Sequence, residues 1–397
     1  MTETRWNYNH TLYASYLGYV CQAIVNNLAP LLFLTLQRTY GISLGQITLL
    51  VTFNFGVQLL VDLASTLFVD RLGYRRCAVI AHVCCALGLA GLAVLPELLP
   101  HPYVGLLAAV CLYAVGGGLI EVLISPIVEA CPTEKKDAAM SLLHSFYCWG
   151  CVLVIALSTA FLALLGSDSW RMLPLLWALV PAANAMLFSR VPVNSLTPEG
   201  GGMSVRELLR SSGFWLLALL MVCAGASELS MSQWASAFAE KGLGISKTLG
   251  DLAGPCFFAV LMGLARVLYA AFSDRISLLG FMRGSCVLCV ASYLLAVFAP
   301  HPALALLGCG LCGLSVGILW PGVFSIAAGR MPAGGTALFA LLALGGDLGC
   351  SSGPTLVGFV SERAGGVLQA GLLAAILFPL VLLAGSFWLR RILPERH

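Results

Sequence analysis

Apolar runs of about twenty to thirty residues recur along almost the whole chain, each bounded by a short polar break. A helix needs ~20 apolar residues to cross the hydrocarbon of a bilayer. Twelve such spans can be drawn, at 10–37, 43–69, 77–96, 102–128, 136–165, 171–190, 213–240, 248–273, 280–299, 302–329, 333–361 and 365–391. The longest polar stretch, 191–212, follows the sixth. It holds Pro192, Pro198, three glycines at 200–202 and the run Arg206-Glu207-Leu208-Leu209-Arg210, and reads as a linker that can carry a short surface helix. The pattern predicts an all-α membrane protein: a six-helix bundle over 1–190, a cytoplasmic linker over 191–212 and a second six-helix bundle over 213–397.

Composition sharpens this. Apolar residues make up 59% and charged residues 10% of the 397, against about 25% charged in soluble proteins. With both termini placed in the cytoplasm, fifteen of the 21 Lys and Arg fall on inner segments and five on outer ones, with Arg266 inside a span. The positive-inside rule therefore places both termini inside. The first ten residues show no cleavable signal pattern. Fifteen cysteines are scattered through apolar runs. The CxxC spacings at Cys148/Cys151, Cys286/Cys289 and Cys309/Cys312 lie in predicted spans, where Cys is a small packing residue. No metal-ligand spacing, cofactor motif or phosphate-cradling loop occurs, which argues against metal chemistry and ATP-driven transport.

The two halves echo each other. Gly41-Ile42-Ser43 opens the second span and Gly244-Ile245-Ser246 stands just before the eighth. Phe68-Val69-Asp70-Arg71 ends the second and Phe272-Ser273-Asp274-Arg275 the eighth, at offsets of 203 and 204 residues. Pro126 in the fourth span answers Pro321 in the tenth. This is the signature of a parallel duplication about an axis along the membrane normal, whose halves can alternate access to a central site.

Glu121 is the sole interior charge of the apolar run from Tyr103 to Val128. A carboxylate at that depth costs at least ~2.5 kcal/mol, so it is expected to face a cavity, a partner or a proton path. Three glycines at 116–118 precede it and allow close helix approach. Pro126 frees a backbone carbonyl nearby and lets the helix bend. The plainer reading is a neutral, hydrogen-bonded Glu in a packed interior.

At these residues the chain resembles the major facilitator superfamily. Asp70-Arg71-Leu72-Gly73-Tyr74-Arg75-Arg76 is similar to its loop between spans two and three, with Thr66 where a leading glycine is usual. The resemblance implies a cytoplasmic gate formed by Asp70, Arg71, Gly73, Arg75 and Arg76, with Asp274 and Arg275 at the repeated site. Orientation signal alone is the simpler role for the arginines. Within the superfamily, Val25-Asn26-Asn27-Leu28, Gly118-Leu119-Ile120-Glu121 with Ser125-Pro126, and Ser141 to Gly150 resemble fucose-permease-like sugar:proton symporters. That implies Glu121 as the coupling carboxylate and marks Asn26, Asn27 and Tyr147 as candidates for the solute and proton site, while His144 could relay protons or hydrogen-bond a neighbouring helix. The second acid of that branch is replaced here by Pro30.

Other polar groups lie inside spans. Asp62 and Arg266 occupy equivalent places and could pair across the halves, line a wet cavity or bond neighbouring helices. Glu228, Gln233 and Trp234 suit a polar solute with an apolar face, or polar contacts between helices. Asp347, in a Gly- and Pro-rich stretch, could bind solute or proton, or satisfy backbone freed by Pro354. Trp320 beside Pro321 resembles an aromatic gate, with packing as the alternative. His82 is read as structural. Together these features predict a monomeric, non-enzymatic carrier in the cell membrane. It would move a small polar solute, a sugar or sugar-like molecule, in symport with protons, and bind no nucleic acid. A proton-antiport exporter of amphiphiles and a non-transporting receptor are the alternatives.

Overall fold

A computed structural model of the chain describes residues 6–132, 136–194, 203–272 and 276–392. The described residues are almost entirely helical. The first half runs α1 (Tyr8–Tyr40), α2 (Leu44–Leu72), α3 (Tyr74–Leu98), α4 (Pro102–Glu129), α5 (Lys136–Leu165), a 3₁₀ turn (Ser167–Arg171) and α6 (Met172–Arg190). The polar connection carries α7 (Val205–Arg210). The second half runs α8 (Ser212–Ser232), α9 (Ala235–Ala237), a π turn (Phe238–Gly242), α10 (Lys247–Asp251), a second π turn (Leu252–Cys256), α11 (Phe257–Phe272) and α12 (Leu278–Phe298). It continues through α13 (Pro302–Val316), α14 (Leu319–Arg330), α15 (Gly335–Arg363), α16 (Leu368–Ala375) and α17 (Leu377–Ile392). Eleven stretches among the described residues are long and apolar enough to cross a membrane, and the 29-residue α15 supplies a further long helix. This is a multi-pass membrane protein.

Four predicted spans are each built from more than one helical piece. The tenth breaks between α13 and α14, the seventh at Gln233–Trp234, the eighth at the π turn 252–256 and the twelfth at Ile376. Pro321 and Pro255 account for two of these, because each removes a backbone donor from its helix. By contrast α1 and α15 carry Pro30 and Pro354 without interruption.

The repeated Gly-Ile-Ser has a plain cause. Gly41 ends α1 at φ 65° and Gly244 sits at φ 67°, the left-handed conformation that glycine adopts without a Cβ penalty. Ser43 then caps α2: its hydroxyl accepts from the Gln46 N–H at 3.1 Å, while Gln46 Oε1 accepts from the Ser43 N–H at 2.8 Å. Such a reciprocal cap satisfies two otherwise orphaned donors. Ser204 and Glu207 cap α7 in the same way. There the carboxylate takes the Ser204 N–H at 2.7 Å and its hydroxyl at 2.9 Å. Those two bonds hold the Glu207 carboxyl below the usual carboxylate range.

The chain forms two compact units, residues 1–46 with 53–198, and 47–52 with 199–397. The short stretch 47–52 of α2 groups with the second unit, which an even division into halves does not anticipate. Within the first, α1 packs on α4, α5 and α6, and α3 on α4 and α6. Within the second, α8 packs on α13, α14, α15 and α17, and α12 on α13 and α17. The pairing pattern is the same once α13–α14, α15 and α16–α17 are matched to α4, α5 and α6. Small residues make the crossings possible. A Cβ on Gly116 would strike Ala81 O and Cys85 on α3, and one on Gly349 would strike Val222 O on α8.

Candidate solute and proton site

In the first unit, five polar side chains meet inside the bundle. Gln22 and Asn26 lie one turn apart on α1, and Asn54 and Gln58 one turn apart on α2, so each pair shares a helix face. All four amides are buried. Glu121 on α4 is part-buried. Gln22 Nε2 donates to Gln58 Oε1 at 2.9 Å and to Glu121 Oε2 at 3.3 Å. Gln58 Nε2 donates to Asn26 Oδ1 and to Asn54 Oδ1, both at 3.1 Å. Asn54 Nδ2 closes a triangle on Asn26 Oδ1 at 3.5 Å. Gln22 Oε1 is buried and accepts no hydrogen bond.

The three glycines before Glu121 serve three neighbours. Gly116 admits α3. At Gly117 a Cβ would stand 3.2 Å from Gln22 Oε1 and from the Gln58 amide, and at Gly118 it would stand 2.9 Å from Gln58 O. The glycines thus let α1 and α2 bring their amides up to the acid. Close by, Tyr19 and Ser125 share a hydrogen bond at 2.9 Å. His144 is exposed on α5, its ring 5.5 Å from that of Tyr19. Tyr147 is part-buried one turn on. Asn27 turns from the amide cluster: its Nδ2 donates to Ala23 O at 2.9 Å and to Cys151 Sγ at 3.2 Å.

The second unit is built differently. Arg266 on α11 donates from Nε to Gly317 O at 3.2 Å. Gly317 lies four residues before Pro321, so its carbonyl is the one that proline leaves without a helical partner. The same guanidinium lies within electrostatic reach of Glu228 on α8. Trp320 fills the slot beside Gly346, where a Cβ would collide with its indole, next to the buried Asp347. Gln233 is buried. Trp234 is fully enclosed and its Nε1–H donates to Pro354 O at 3.0 Å. Further along, Ser236 donates to the buried Asp251, which Lys247 Nζ meets at 3.0 Å. A π turn lies on either side of this pair.

Residues 15–354 match the Major Facilitator Superfamily. The chain belongs to that superfamily of transporters. It is not an enzyme. Solved structures of the same fold include a D-xylose-proton symporter at 14% identity and TM-score 0.81, with 98% of each chain covered. The E. coli fucose:proton symporter matches at 16% identity and TM-score 0.65, covering 95% of this chain and 98% of that one. A bacterial homologue of the human lysosomal transporter Spinster matches at 14% identity and TM-score 0.77, with 98% of each covered. No curated protein sequence matches significantly.

Two residues of the loop signature have described roles in the first unit. Gly73 bridges α2 and α3 at φ 86°. Arg75 reaches the C-terminal end of α6, donating to Val191 O at 2.9 Å and Ser189 O at 3.4 Å, where a cation meets the negative end of the helix dipole. In the second unit Arg283 on α12 bonds Ser386 of α17, from Nη2 to its carbonyl at 2.8 Å and from Nε to its hydroxyl at 3.1 Å. Arg71 and Arg76 are exposed. Nothing is described of the Asp70 side chain, and Asp274 and Arg275 lie outside the described residues. Asp62 is part-buried one turn after Gln58 and belongs to the first unit, Arg266 to the second. His82 is wholly buried, its ring nitrogens bonded to Ala78 O at 2.7 Å and Asn184 Nδ2 at 2.8 Å. Hydropathy reasoning missed Gln22, Asn54, Gln58 and Asp251.

Proposed function

We propose that this transporter moves a small polar solute of the sugar class together with protons, by alternating access, and that Glu121 carries the proton. The observation behind this reading is the carboxylate on α4 hydrogen-bonded by Gln22 at 3.3 Å, at the end of a buried amide network. An ionised carboxylate in apolar surroundings is costly, and a proton removes that cost. Protonation also turns an acceptor into a donor. Proton binding therefore favours closing the site around its solute, and release on the far side resets the carrier. A sugar needs both donors and acceptors, and the amides of Asn26 and Asn27, the hydroxyl of Tyr147 and the imidazole of His144 offer both. The D-xylose and fucose proton symporters share the fold, which supports the substrate class by analogy alone. The carrier would act as a monomer in the cell membrane, with both termini cytoplasmic.

The test is accumulation of labelled sugars by proteoliposomes under an imposed inward proton gradient. Wild-type protein is expected to concentrate at least one sugar against its gradient, and Glu121→Gln to lose concentration while still exchanging solute. Unchanged gradient-driven accumulation by Glu121→Gln would overturn the assignment.

A further inference from the structure

Resting on that reading of Glu121, we propose that Gln22, Gln58, Asn54 and Asn26 are positioning residues that relay its protonation state from α4 through α1 and α2, by reversing the direction of their hydrogen bonds together. The topology makes this possible. As built, Gln22 donates to Glu121 and to Gln58, Gln58 donates to Asn26 and Asn54, and Asn54 donates to Asn26. A primary amide has nearly the same shape when its oxygen and nitrogen exchange places. If all four exchange, Gln58 donates to Gln22, Asn26 donates to Gln58 and Asn54, and Asn54 donates to Gln58. Each of these amide–amide contacts survives with opposite polarity, and no nitrogen donates more than twice.

One bond decides between the two states. In the reversed chain Gln22 Oε1 faces Glu121. A carboxylate there would set oxygen against oxygen, whereas a carboxylic acid donates its O–H. Ionised Glu121 therefore holds the chain in its present direction, and the proton frees it to turn over. Gln22 Oε1, buried with no partner in the present state, then gains two donors, Gln58 and the acid, while Gln22 Nε2 takes the unpartnered position, a cost that keeps the reversed state minor until the acid donates to it. At the far end Asn26 exchanges the acceptor it shows the network for a donor, and the reverse on its other side. A proton on α4 is thus felt as a change of hydrogen-bond character on α1, next to Asn27. The geometry leaves room for it, since Gly117 keeps the space beside both glutamines clear of any Cβ.

Other ionisable groups on the helices round α4 must be separated from this effect. They are Tyr19 on α1, Asp62 on α2, His82 on α3 and His144 on α5, with the thiols of Cys21, Cys85 and Cys151. Phenol and thiols titrate well above neutrality in their ordinary state. His82 has both ring nitrogens engaged. Asp62 and His144 remain as controls.

The experiment is infrared difference spectroscopy of the full-length protein in lipid, between neutral and acid pH, with no solute added. Selective ¹³C labelling of Gln and Asn side-chain carbonyls marks the amide bands. Wild-type protein is expected to show a carboxyl band and labelled amide bands that titrate with one midpoint. Both should vanish in Glu121→Gln and persist in Asp62→Asn and His144→Gln. Gln58→Met should keep the carboxyl band and lose the Asn bands; Asn26→Leu, which should keep the carboxyl band and lose the Asn54 response, offers a second break should Gln58→Met fail to fold. Amide bands that are absent while the carboxyl titrates would overturn the relay and leave proton coupling through Glu121 standing. So would amide bands that survive in Glu121→Gln. Absence of any carboxyl band lost in Glu121→Gln would overturn both.

Discussion

The two units share a scaffold and differ in what they do with polarity. In the first, neutral amides on α1 and α2 gather round one acid on α4. In the second, an acid on α8 and a guanidinium on α11 lie within reach of each other, and the guanidinium also satisfies a carbonyl freed by Pro321. The matched prolines make the contrast sharp. The same step that carries Pro126 to Pro321 carries Glu121 to Val316, a buried apolar residue. The 204-residue step between the two Asp-Arg pairs carries Gln58 to Met262 and Asp62 to Arg266. Both units thus use small residues at helix crossings, while their polar groups differ. Function is expected to follow the polar groups, and folding the crossings.

The largest effect should come from breaking what the units share. Gly116→Val and Gly349→Val each drive a side chain into neighbouring backbone. Each should destabilise the protein by about 3 kcal/mol or more, whereas Gly284→Val, with nothing within 4 Å of its Cβ position, should be nearly silent. Thermal unfolding in mixed micelles would report all three, and a tolerant Gly349→Val would show that the α15–α8 crossing does not depend on close backbone approach. Next in size is Val316→Glu, which copies the acid without its amides. It should cost ~2.5 kcal/mol or more, read in the same assay. A cost near zero would mean that the amides of the first unit are not what makes its acid tolerable.

A smaller effect is expected from Arg266→Met, which removes a donor from Gly317 O and a counter-charge from Glu228. The loss should be roughly 2 kcal/mol, and part of it should be recovered in the double variant with Glu228→Gln. Strict additivity in that cycle would separate the two groups energetically. The smallest effect belongs to the surface helix α7. Its Glu207 carboxyl is held low when folded, so its capping contribution is full above the ordinary carboxylate range, near pH 5. It is lost as pH falls through the lower folded value. Protection of the Ser204 amide, taken relative to its intrinsic exchange rate, should fall at acid pH in wild type, and Glu207→Gln should abolish that fall in protection.

Much of this architecture could be read from residues alone, because the bilayer imposes length and apolarity on every spanning helix. Glu121 stood out because a charge in an apolar run is costly, and Asn26 because it belonged to a recognisable local pattern. Gln22, Asn54 and Gln58 did not stand out. A neutral amide in a long helix is cheap and common, and its meaning comes from partners on other helices. The break at Gly317–Ile318 is marked by Pro321, but proline alone does not decide it, since α1 and α15 carry Pro30 and Pro354 without interruption. The break at Gln233–Trp234 has no proline or glycine to mark it. Arg266 was legible as a buried charge, but its carbonyl partner is backbone and leaves no mark in the sequence.

The most direct test of Glu121 as proton carrier is the pH of a weakly buffered medium around proteoliposomes when a sugar is added. Wild-type protein should make the medium transiently more alkaline as protons enter with the sugar, and Glu121→Gln should give no change while still binding it. Acidification on sugar addition, or alkalinisation that persists in Glu121→Gln, would contradict it.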